Sequence, residues 1–346
     1  MKKLGDEKYP SSVNIRSYNP NTAVHAGQIK RAVAMLEKAR RPLFLVGGGV
    51  NIAHASDVFT KLAETTKIPV VTSIMGRGSI PTDHELFIGN IGMHGCYAGN
   101  KAIEECDVLF SIGTRFNDRI TGKISEFAPK AKIIHIDIDT ASISRNIHVD
   151  IPIVGDARNA IESLLECDFS GLHDYSSWVE EIKVWNEKYP IGAEQQEFEG
   201  LTPQQILASV NGAIKEKEAV IVTDVGQHQM WTTQNIHIDA TKKLVTSGGL
   251  GTMGFGLPAA IGAQLGNPDK TIICITGDGG MQMNIQEMAT AVAQELPIII
   301  LIVNNSYLGM VRQMQQLFYD KRYPVTCLRY RKSCNYACRD GEKACP

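Results

Sequence analysis

Two polar side chains could hold a metal ion together with a phosphate. Asp278 follows the apolar, β-branched run 271–276, and Asn305 follows a second apolar run at 298–303. Tyr307 lies just beyond Asn305 and can add its backbone carbonyl. Magnesium prefers about six oxygen ligands and usually completes its shell with phosphate and water. These three oxygen donors therefore predict a Mg²⁺ site.

The two apolar runs are expected to be parallel strands joined by a helix over 284–294. Ile285, Met288, Ala289 and Val292 recur at helical spacing in that segment. In such a β-α-β unit the carboxyl ends of both strands meet at one edge of the sheet, where open α/β sheets bind ligands. A tight turn or a polar strand end would explain either motif alone. Their combination in one unit favours a ligand site.

Glycines support a phosphate beside this metal. Gly277, Gly279 and Gly280 would let the backbone approach a phosphate closely. A second glycine-rich segment, SGGLGTMGFG, occupies 247–256. Because glycine lowers helix stability by about 1 kcal/mol relative to alanine, such density indicates close approach of backbone or ligand.

The pattern of GDG, a helix and a strand ending in NN resembles the thiamine diphosphate (ThDP) signature of the pyruvate-decarboxylase-like enzymes. The resemblance implies that Asp278, Asn305 and the Tyr307 carbonyl bind the Mg²⁺ that holds the diphosphate. It also implies that Gly251 offers a carbonyl to the aminopyrimidine ring and that Met253 is the apolar wedge that bends the cofactor. The other implied ThDP contacts are Gln227, His228, Gly277, Gly279, Gly280, Gly309 and Met310.

Composition limits the class of protein. The chain has 346 residues, of which 43% are apolar, and a formal net charge of −2. This length predicts two domains, and the balanced charge gives no reason to expect nucleic acid or a membrane surface as partner. No apolar run reaches the ~20 residues that span a bilayer, and the N-terminus lacks the apolar segment of a secretory signal. Scattered cysteines fit a reducing compartment, so we expect a cytoplasmic protein.

Alternating strands and helices predict an α/β fold with two doubly wound parallel-sheet domains. We expect an arm at 1–22, a first domain at 23–167, a linker at 168–200 and a second domain at 201–346. The expected strands are 42–46, 68–72, 108–112, 133–138, 151–154 and 219–224, besides the two described above. The further expected helices are 29–39, 55–66, 98–105, 178–188, 257–265 and one that starts at Thr202-Pro203 and runs to 215, whereas 225–231 is expected to be a loop.

Loops that follow strands of the first domain are rich in glycine and arginine. Three glycines at 47–49 do not fit G-x-G-x-x-G, so a structural turn explains them as well as a phosphate loop does. Arg115 and Arg119 lie four residues apart after another strand. They could bind a diphosphate or a carboxylate, or form a salt-bridged surface loop.

These loops resemble the FAD-binding central domain of the acetolactate synthase (acetohydroxyacid synthase) large-subunit family. The chain departs from the family pattern at Met75 and Asn117, where Gln and Asp are common. The resemblance implies a largely structural FAD, against which His94 packs without a catalytic role. The implied FAD contacts are Gly47, Gly48, Gly49, Ser73, Ile74, Met75, Gly92, Met93, His94, Gly113, Thr114, Arg115, Asn117, Arg119, Ile120, Asp137, Ile138, Gly155, Asp156 and Ala157.

The same family implies what lies outside the chain. Its activating Glu belongs to an N-terminal pyrimidine-binding domain and acts across a dimer interface. We expect the chain to begin after that domain and to stop before the usual C-terminus. No catalytic residue is therefore assigned within it, and it is expected to be inactive alone.

Two features near the C-terminus have open interpretations. Met314 stands where the family commonly has a Trp that shapes the substrate channel, which leaves the acceptor preference open. The tail at 327–345 has four cysteines, of which Cys334 and Cys338 have zinc-ligand spacing. A reduced loop insertion is the other interpretation of that tail.

The resemblance predicts the catalytic subunit of an acetolactate synthase. Such an enzyme decarboxylates pyruvate with ThDP and joins the two-carbon remainder to pyruvate or 2-ketobutyrate. The products, 2-acetolactate and 2-aceto-2-hydroxybutyrate, lead to valine, leucine and isoleucine. A homodimer or homotetramer with a regulatory small subunit is expected. The alternatives are another ThDP/FAD enzyme, such as glyoxylate carboligase or pyruvate oxidase, and a non-catalytic FAD- or nucleotide-binding module.

Overall fold

The chain folds around two parallel sheets, each covered by helices on both faces. The structure, a computed structural model, describes residues 13, 15–17, 20–192 and 200–328. One sheet has six strands and the other has four, and all the strand pairs within them are parallel. The predicted α/β class with two doubly wound sheets is confirmed.

The strands of the first sheet precede those of the second along the chain. The first sheet contains β1 (Pro42–Val46), β2 (Val70–Thr72), β3 (Phe87–Asn90), β4 (Val108–Ile112), β5 (Lys132–Asp137) and β6 (Ile151–Val154). The second contains β7 (Ala219–Thr223), β8 (Lys242–Thr246), β9 (Thr271–Gly277) and β10 (Ile299–Val303).

Helices connect most of these strands. Those of the first part of the chain are α1 (Ala26–Leu36), α2 (Gly48–Ile52), α3 (Ser56–Thr66), α4 (Tyr97–Glu105), α5 (Asp118–Thr121), α6 (Ala157–Leu165) and α7 (Ser176–Lys188). The others are α8 (Pro203–Ala213), α9 (Gln227–Asn235), α10 (Gly256–Gly266), α11 (Asp278–Met283), α12 (Met288–Ala293) and α13 (Gly309–Phe318). No helix in the described ranges is long and apolar enough to span a membrane.

The strand order creates a crevice in each sheet. The first sheet has the order β3-β2-β1-β4-β5-β6, so the direction of winding reverses between β1 and β4. The second has the order β10-β9-β7-β8 and reverses between β7 and β9. In open α/β sheets ligands bind outside the carboxyl ends of the strands at such reversals. Each sheet therefore has one edge suited to a ligand.

Burial explains why the central strands are continuous apolar runs. All five residues of β1 are buried, as expected for a strand with helices on both faces. Phe44 and Val46 lie in the core that α1, α3 and α6 cover. Leu43 and Leu45 lie in the opposite core, which α4 covers.

Helix α7 lies in the segment that we expected to be a linker, 168–200, and it packs on the first sheet. Trp178 and Ile182 are buried in the same core as Leu43. The indole Nε1 of Trp178 donates a hydrogen bond to the Pro42 carbonyl oxygen at 3.0 Å. This segment therefore contributes a helix to the first core as well as a connection.

Two predictions about the second sheet were wrong. Segment 225–231, expected to be a loop, contains the start of α9, because the connection from β7 is as short as most such connections. The helix expected at 284–294 is present as a 3₁₀ turn at Ile285–Glu287 followed by α12, and Asn284 separates it from α11. The division falls at Asn284, whose φ of −133° is not helical. The apolar face expected on that helix, including Ile285 and Val292, is exposed.

Two strands were not predicted, and several predictions fall beyond the described ranges. β3 (FIGN) contains Gly and Asn, and β8 begins with two lysines, so neither has the composition of a strand. The bounds of β1, β4 and β6 agree with the prediction, whereas α1 starts and ends three residues earlier than 29–39. Most of the arm at 1–22 lies outside the described residues, as do Cys334 and Cys338.

The packing of α7 predicts the effect of removing its buried indole. Trp178→Ala should lower the free energy of unfolding by about 3–5 kcal/mol, the usual range for a large buried aromatic residue. The matched control is Val184→Ala on the same helix, where a 49% exposed side chain should cost no more than about 0.5 kcal/mol. Urea denaturation followed by far-UV circular dichroism measures both. Equal small effects would show that α7 does not belong to this core.

Candidate cofactor site

The carboxyl ends of three strands in the second sheet lie side by side. β10 and β9 pair in register up to Val303 and Gly277, and β9 pairs with β7. Helices α9, α11 and α13 all begin within a few residues of these strand ends. Helix N-termini present unpaired N–H groups and partial positive charge. This edge therefore suits an anion such as a diphosphate.

One cavity at this edge brings together residues from motifs that are far apart in the sequence. Gly251 is exposed and does not line it. Every other predicted ThDP residue does: Gln227, His228, Met253, Gly277, Asp278, Gly279, Gly280, Asn305, Tyr307, Gly309 and Met310.

Some lining residues were not predicted from the sequence. Trp231 lies one helical turn after Gln227 on α9, and Leu308 directly precedes Gly309. Their signal in the sequence was only their position beside the motifs. The remaining missed lining residues are Val225, Gly226, Val303 and Val311.

Asn305 is held by two hydrogen bonds. Its Nδ2 donates to Gln227 Oε1 at 3.2 Å, and the Tyr307 N–H donates to its Oδ1 at 2.9 Å. A Cβ placed at Gly309 would overlap Gln227 Oε1 and Asn305 Nδ2, so a larger residue there would displace this pair. Because a carbonyl oxygen has two lone pairs, Asn305 Oδ1 can still bind a cation.

The predicted metal ligands at this edge are all oxygen atoms. Asp278 is the first residue of α11 and lines the same cavity as Asn305 and Tyr307. In the described ranges no three His, Cys, Asp or Glu side chains group together as metal ligands. A carboxylate, an amide oxygen and a backbone carbonyl suit Mg²⁺ better than a transition metal. The residues present therefore fit a magnesium–diphosphate group.

His228 provides a buried polar atom without a partner. The side chain is 6% exposed, and its Nε2 has no hydrogen-bond partner among the described residues. Burial lowers the pKa of His228 below its ordinary value, against the opposing influence of Asp224, so the imidazole is neutral at pH 7. Buried polar atoms are normally hydrogen-bonded, so an unpartnered one in a cavity wall indicates a ligand.

The predicted flavin residues gather at the corresponding edge of the first sheet. One segment follows or ends each of the six strands: 47–49 at β1, 73–75 at β2, 92–94 at β3, 113–120 at β4, 137–138 at β5 and 155–157 at β6. They share that edge although they are spread over more than a hundred residues of sequence.

Several of these residues make contacts within the protein. Ser73, Asn117 and Asp156 accept hydrogen bonds from the first backbone N–H groups of the helical turns that follow them. A Cβ placed at Gly47 would overlap the carbonyl oxygen of Gly113. These side chains and glycines are therefore required by the fold itself, whatever the edge binds.

Other residues at this edge are either buried without a hydrogen-bond partner or exposed to solvent. The Thr114 Oγ1 is buried without a hydrogen-bond partner among the described residues. Met75 and Met93 are 41% and 52% exposed, and the side chains of Arg115 and Arg119 are exposed as well. Exposed thioethers beside two guanidinium groups fit a flat aromatic ring that carries a diphosphate.

The two edges touch each other. A Cβ placed at Gly248 would overlap the Met75 Sδ, so the glycine-rich segment 247–256 packs against the edge that carries the predicted flavin residues. Arg77 crosses the same boundary, and its Nη2 donates to the Ile236 carbonyl oxygen at 2.6 Å. Burial lowers the pKa of Arg77 to about 10. This cation caps the C-terminal end of α9, where positive charge is favourable.

Two family models match the chain, one over each sheet. Residues 29–164 match the central domain of thiamine pyrophosphate enzymes, and residues 224–337 match the C-terminal TPP-binding domain of the same enzymes. The chain belongs to the thiamine pyrophosphate enzyme family.

Relatives within this family are large subunits of acetolactate synthases. A probable acetolactate synthase large subunit of Methanocaldococcus jannaschii is 46% identical over 91% of this chain and 55% of its own length. The acetolactate synthase isozyme 3 large subunit of Escherichia coli is 41% identical over 91% of this chain and 55% of its own length. The acetolactate synthase large subunit of Corynebacterium glutamicum is 43% identical over 94% of this chain and 52% of its own length. The chain spans about half the length of these relatives.

Proposed function

We propose that the chain forms the flavin- and thiamine-binding part of an acetolactate synthase catalytic subunit. The cavity that collects Gln227, Met253, Asp278 and Asn305 from four separate segments carries the proposal. The reaction is decarboxylation of pyruvate and transfer of the two-carbon remainder to pyruvate or 2-ketobutyrate. Its products are 2-acetolactate and 2-aceto-2-hydroxybutyrate, for the synthesis of branched-chain amino acids.

The second sheet holds the magnesium and the diphosphate in this proposal. Asp278, Asn305 and the Tyr307 carbonyl bind Mg²⁺, and the N-termini of α9, α11 and α13 bind the diphosphate oxygens. The neutral His228 donates a hydrogen bond from its Nε2–H to one of those oxygens. Met253 provides apolar contact for the cofactor rings. Thiamine diphosphate supplies the group that stabilises negative charge on carbon when a 2-keto acid loses carbon dioxide.

The first sheet holds FAD. Thr114 and the two guanidinium groups of Arg115 and Arg119 bind the polar part of FAD, and Met75 and Met93 contact its ring. Because carboligation involves no net oxidation or reduction, the flavin acts as a structural element beside the boundary between the two sheets.

The second 2-keto acid enters along α13. Met314 lies one helical turn beyond Met310, on the face of α13 that starts at the cavity. A flexible methionine leaves more room than an aromatic ring, which favours 2-ketobutyrate as well as pyruvate. A homodimer or homotetramer, a regulatory small subunit and a cytoplasmic location complete the proposal.

Mutation of Asp278 tests the magnesium site. Asp278→Ala should weaken ThDP binding in the presence of Mg²⁺ by about 10- to 100-fold, because it removes the only charged ligand that we assign to the cation. Asp269→Ala, before the amino end of β9 and away from the cavity, is the matched control. Isothermal titration calorimetry with and without EDTA measures both. Unchanged affinity in Asp278→Ala, or binding that ignores EDTA, would refute the assignment.

Mutation of Thr114 tests the flavin edge. Thr114→Val keeps the shape of the side chain and removes the unpartnered hydroxyl, so the free energy of unfolding without flavin should change by no more than about 0.5 kcal/mol. FAD affinity, measured by quenching of flavin fluorescence, should fall by about fivefold. Ser111→Ala, which removes another unpartnered buried hydroxyl on β4, should leave FAD affinity unchanged. A loss in both variants would argue against a contact from Thr114.

Product analysis separates the proposed activity from its rivals. A full-length subunit that contains this chain should convert pyruvate to 2-acetolactate, and pyruvate with 2-ketobutyrate to 2-aceto-2-hydroxybutyrate. A glyoxylate carboligase would prefer glyoxylate, and a pyruvate oxidase would consume oxygen. A flavin-binding module without catalytic function would bind FAD and show no response to ThDP with Mg²⁺ in thermal unfolding.

A further inference from the structure

Asp224 lies between β7 and the cavity, and its carboxylate is tied to the glycine-rich segment. The side chain is 1% exposed. Its Oδ1 accepts a hydrogen bond from the Gly254 N–H at 3.0 Å, and its Oδ2 accepts one from the Gly256 N–H at 2.7 Å. The Val225 N–H also donates to Oδ1 at 2.7 Å. One buried carboxylate therefore bonds to three backbone groups.

These bonds explain why a charge is buried here. A carboxylate that leaves water is costly unless donors replace its solvation. Charge-assisted bonds from backbone N–H groups are short and strong, and Asp224 receives them from both ends of the turn 254–256. The turn is consequently fixed to the end of β7 through its backbone, without depending on any one side chain within it.

Two glycines leave room for the Asp224 side chain because they have no Cβ. A Cβ placed at Gly256 would lie 2.9 Å from Asp224 Cβ, and one at Gly280 would lie 2.5 Å from Asp224 Oδ1. The glycine-rich segment and the GDGG motif thus pack against the same side chain. Met253 directly precedes the bonded turn and lines the cavity. Any movement of the turn would move Met253.

We propose that Asp224 is a positioning residue for the ring end of the cofactor, acting through the turn 254–256 to hold Met253 in the cavity wall. The inference rests on the proposed function. The diphosphate end has further groups of its own, including Asp278 and Asn305, and Asp224 meets the GDGG motif by packing contact rather than by hydrogen bonds. Asp224 therefore affects the two ends of the cofactor unequally.

Two probes separate these ends. ThDP with Mg²⁺ reports on the whole cofactor, whereas inorganic pyrophosphate with Mg²⁺ reports on the diphosphate end alone. Asp224→Asn replaces one acceptor oxygen by an amide that faces a backbone N–H, so ThDP affinity should fall by about tenfold or more. Pyrophosphate affinity should change by less than about threefold. Isothermal titration calorimetry on the whole chain measures both.

The control is Asp150→Asn in the first domain. Asp150 also accepts a backbone N–H, that of Ile133 at 2.9 Å, so the variant carries a similar loss away from the cavity and should change neither affinity. An equal loss of both ligands in Asp224→Asn would show general damage to the domain and overturn the proposal. Unchanged ThDP affinity would overturn it as well. If the unaltered chain binds no ThDP, the proposed function fails instead.

A milder variant covers the case in which Asp224→Asn does not fold. Asn284 Nδ2 donates to the Gly254 carbonyl oxygen at 2.8 Å, so Asn284→Ala loosens the same turn without altering Asp224. It should reproduce the selective loss of ThDP affinity to a smaller degree. Hydrogen exchange followed by mass spectrometry gives a readout that needs no cofactor: segment 247–256 should exchange faster in both variants. Protection equal to that of the unaltered chain would contradict the positioning role.

Discussion

Parallel pairing of β7, β9 and β10 is the constraint on which the candidate thiamine site depends. Parallel strands place their carboxyl ends at one edge, and the reversal of winding between β7 and β9 opens a crevice there. Short connections then start α9, α11 and α13 at that edge, with their N-termini beside the cavity. The backbone N–H groups at these helix N-termini already provide a positive potential, to which the glycines and the oxygen ligands are added. A diphosphate is thus favoured before any one side chain is considered.

Contacts across the boundary between the sheets connect the predicted flavin edge with α9. Near the C-terminal end of α9, Gln234 donates to the His94 carbonyl oxygen at 2.9 Å, and Arg77 caps that same end of the helix. The N-terminal end of α9 carries Gln227 and His228 in the cavity of the candidate thiamine site. A ligand that stiffens the loops around His94 and Arg77 would therefore also fix the position of α9. This would give the proposed FAD a structural role in a proposed reaction that does not use its redox chemistry.

Local patterns in the sequence predicted individual strands and helices, but contacts between residues far apart in the sequence could not be predicted. The buried strand β1 and the cap-and-proline start of α8 were predicted because local pattern decides them, and the structure shows a Thr202 capping box there. β8 was missed because its lysines have no strand signal, and it forms only through pairing with β7. The role of Asp224 was also missed, because its hydrogen-bond partners Gly254 and Gly256 lie 30 and 32 residues further along the sequence.

Glycine-rich loops in this chain have two different physical causes. Gly47 and Gly113 exclude a Cβ because the backbone of one loop packs on the backbone of the other. Gly280 and Gly309 exclude one because polar side chains, Asp224 and Gln227, occupy the space. Gly280 and Gly309 line the cavity themselves, so the polar side chains beside them also shape its wall. The nature of the neighbouring atom, rather than the density of glycine, therefore shows whether a glycine serves backbone packing or the cavity.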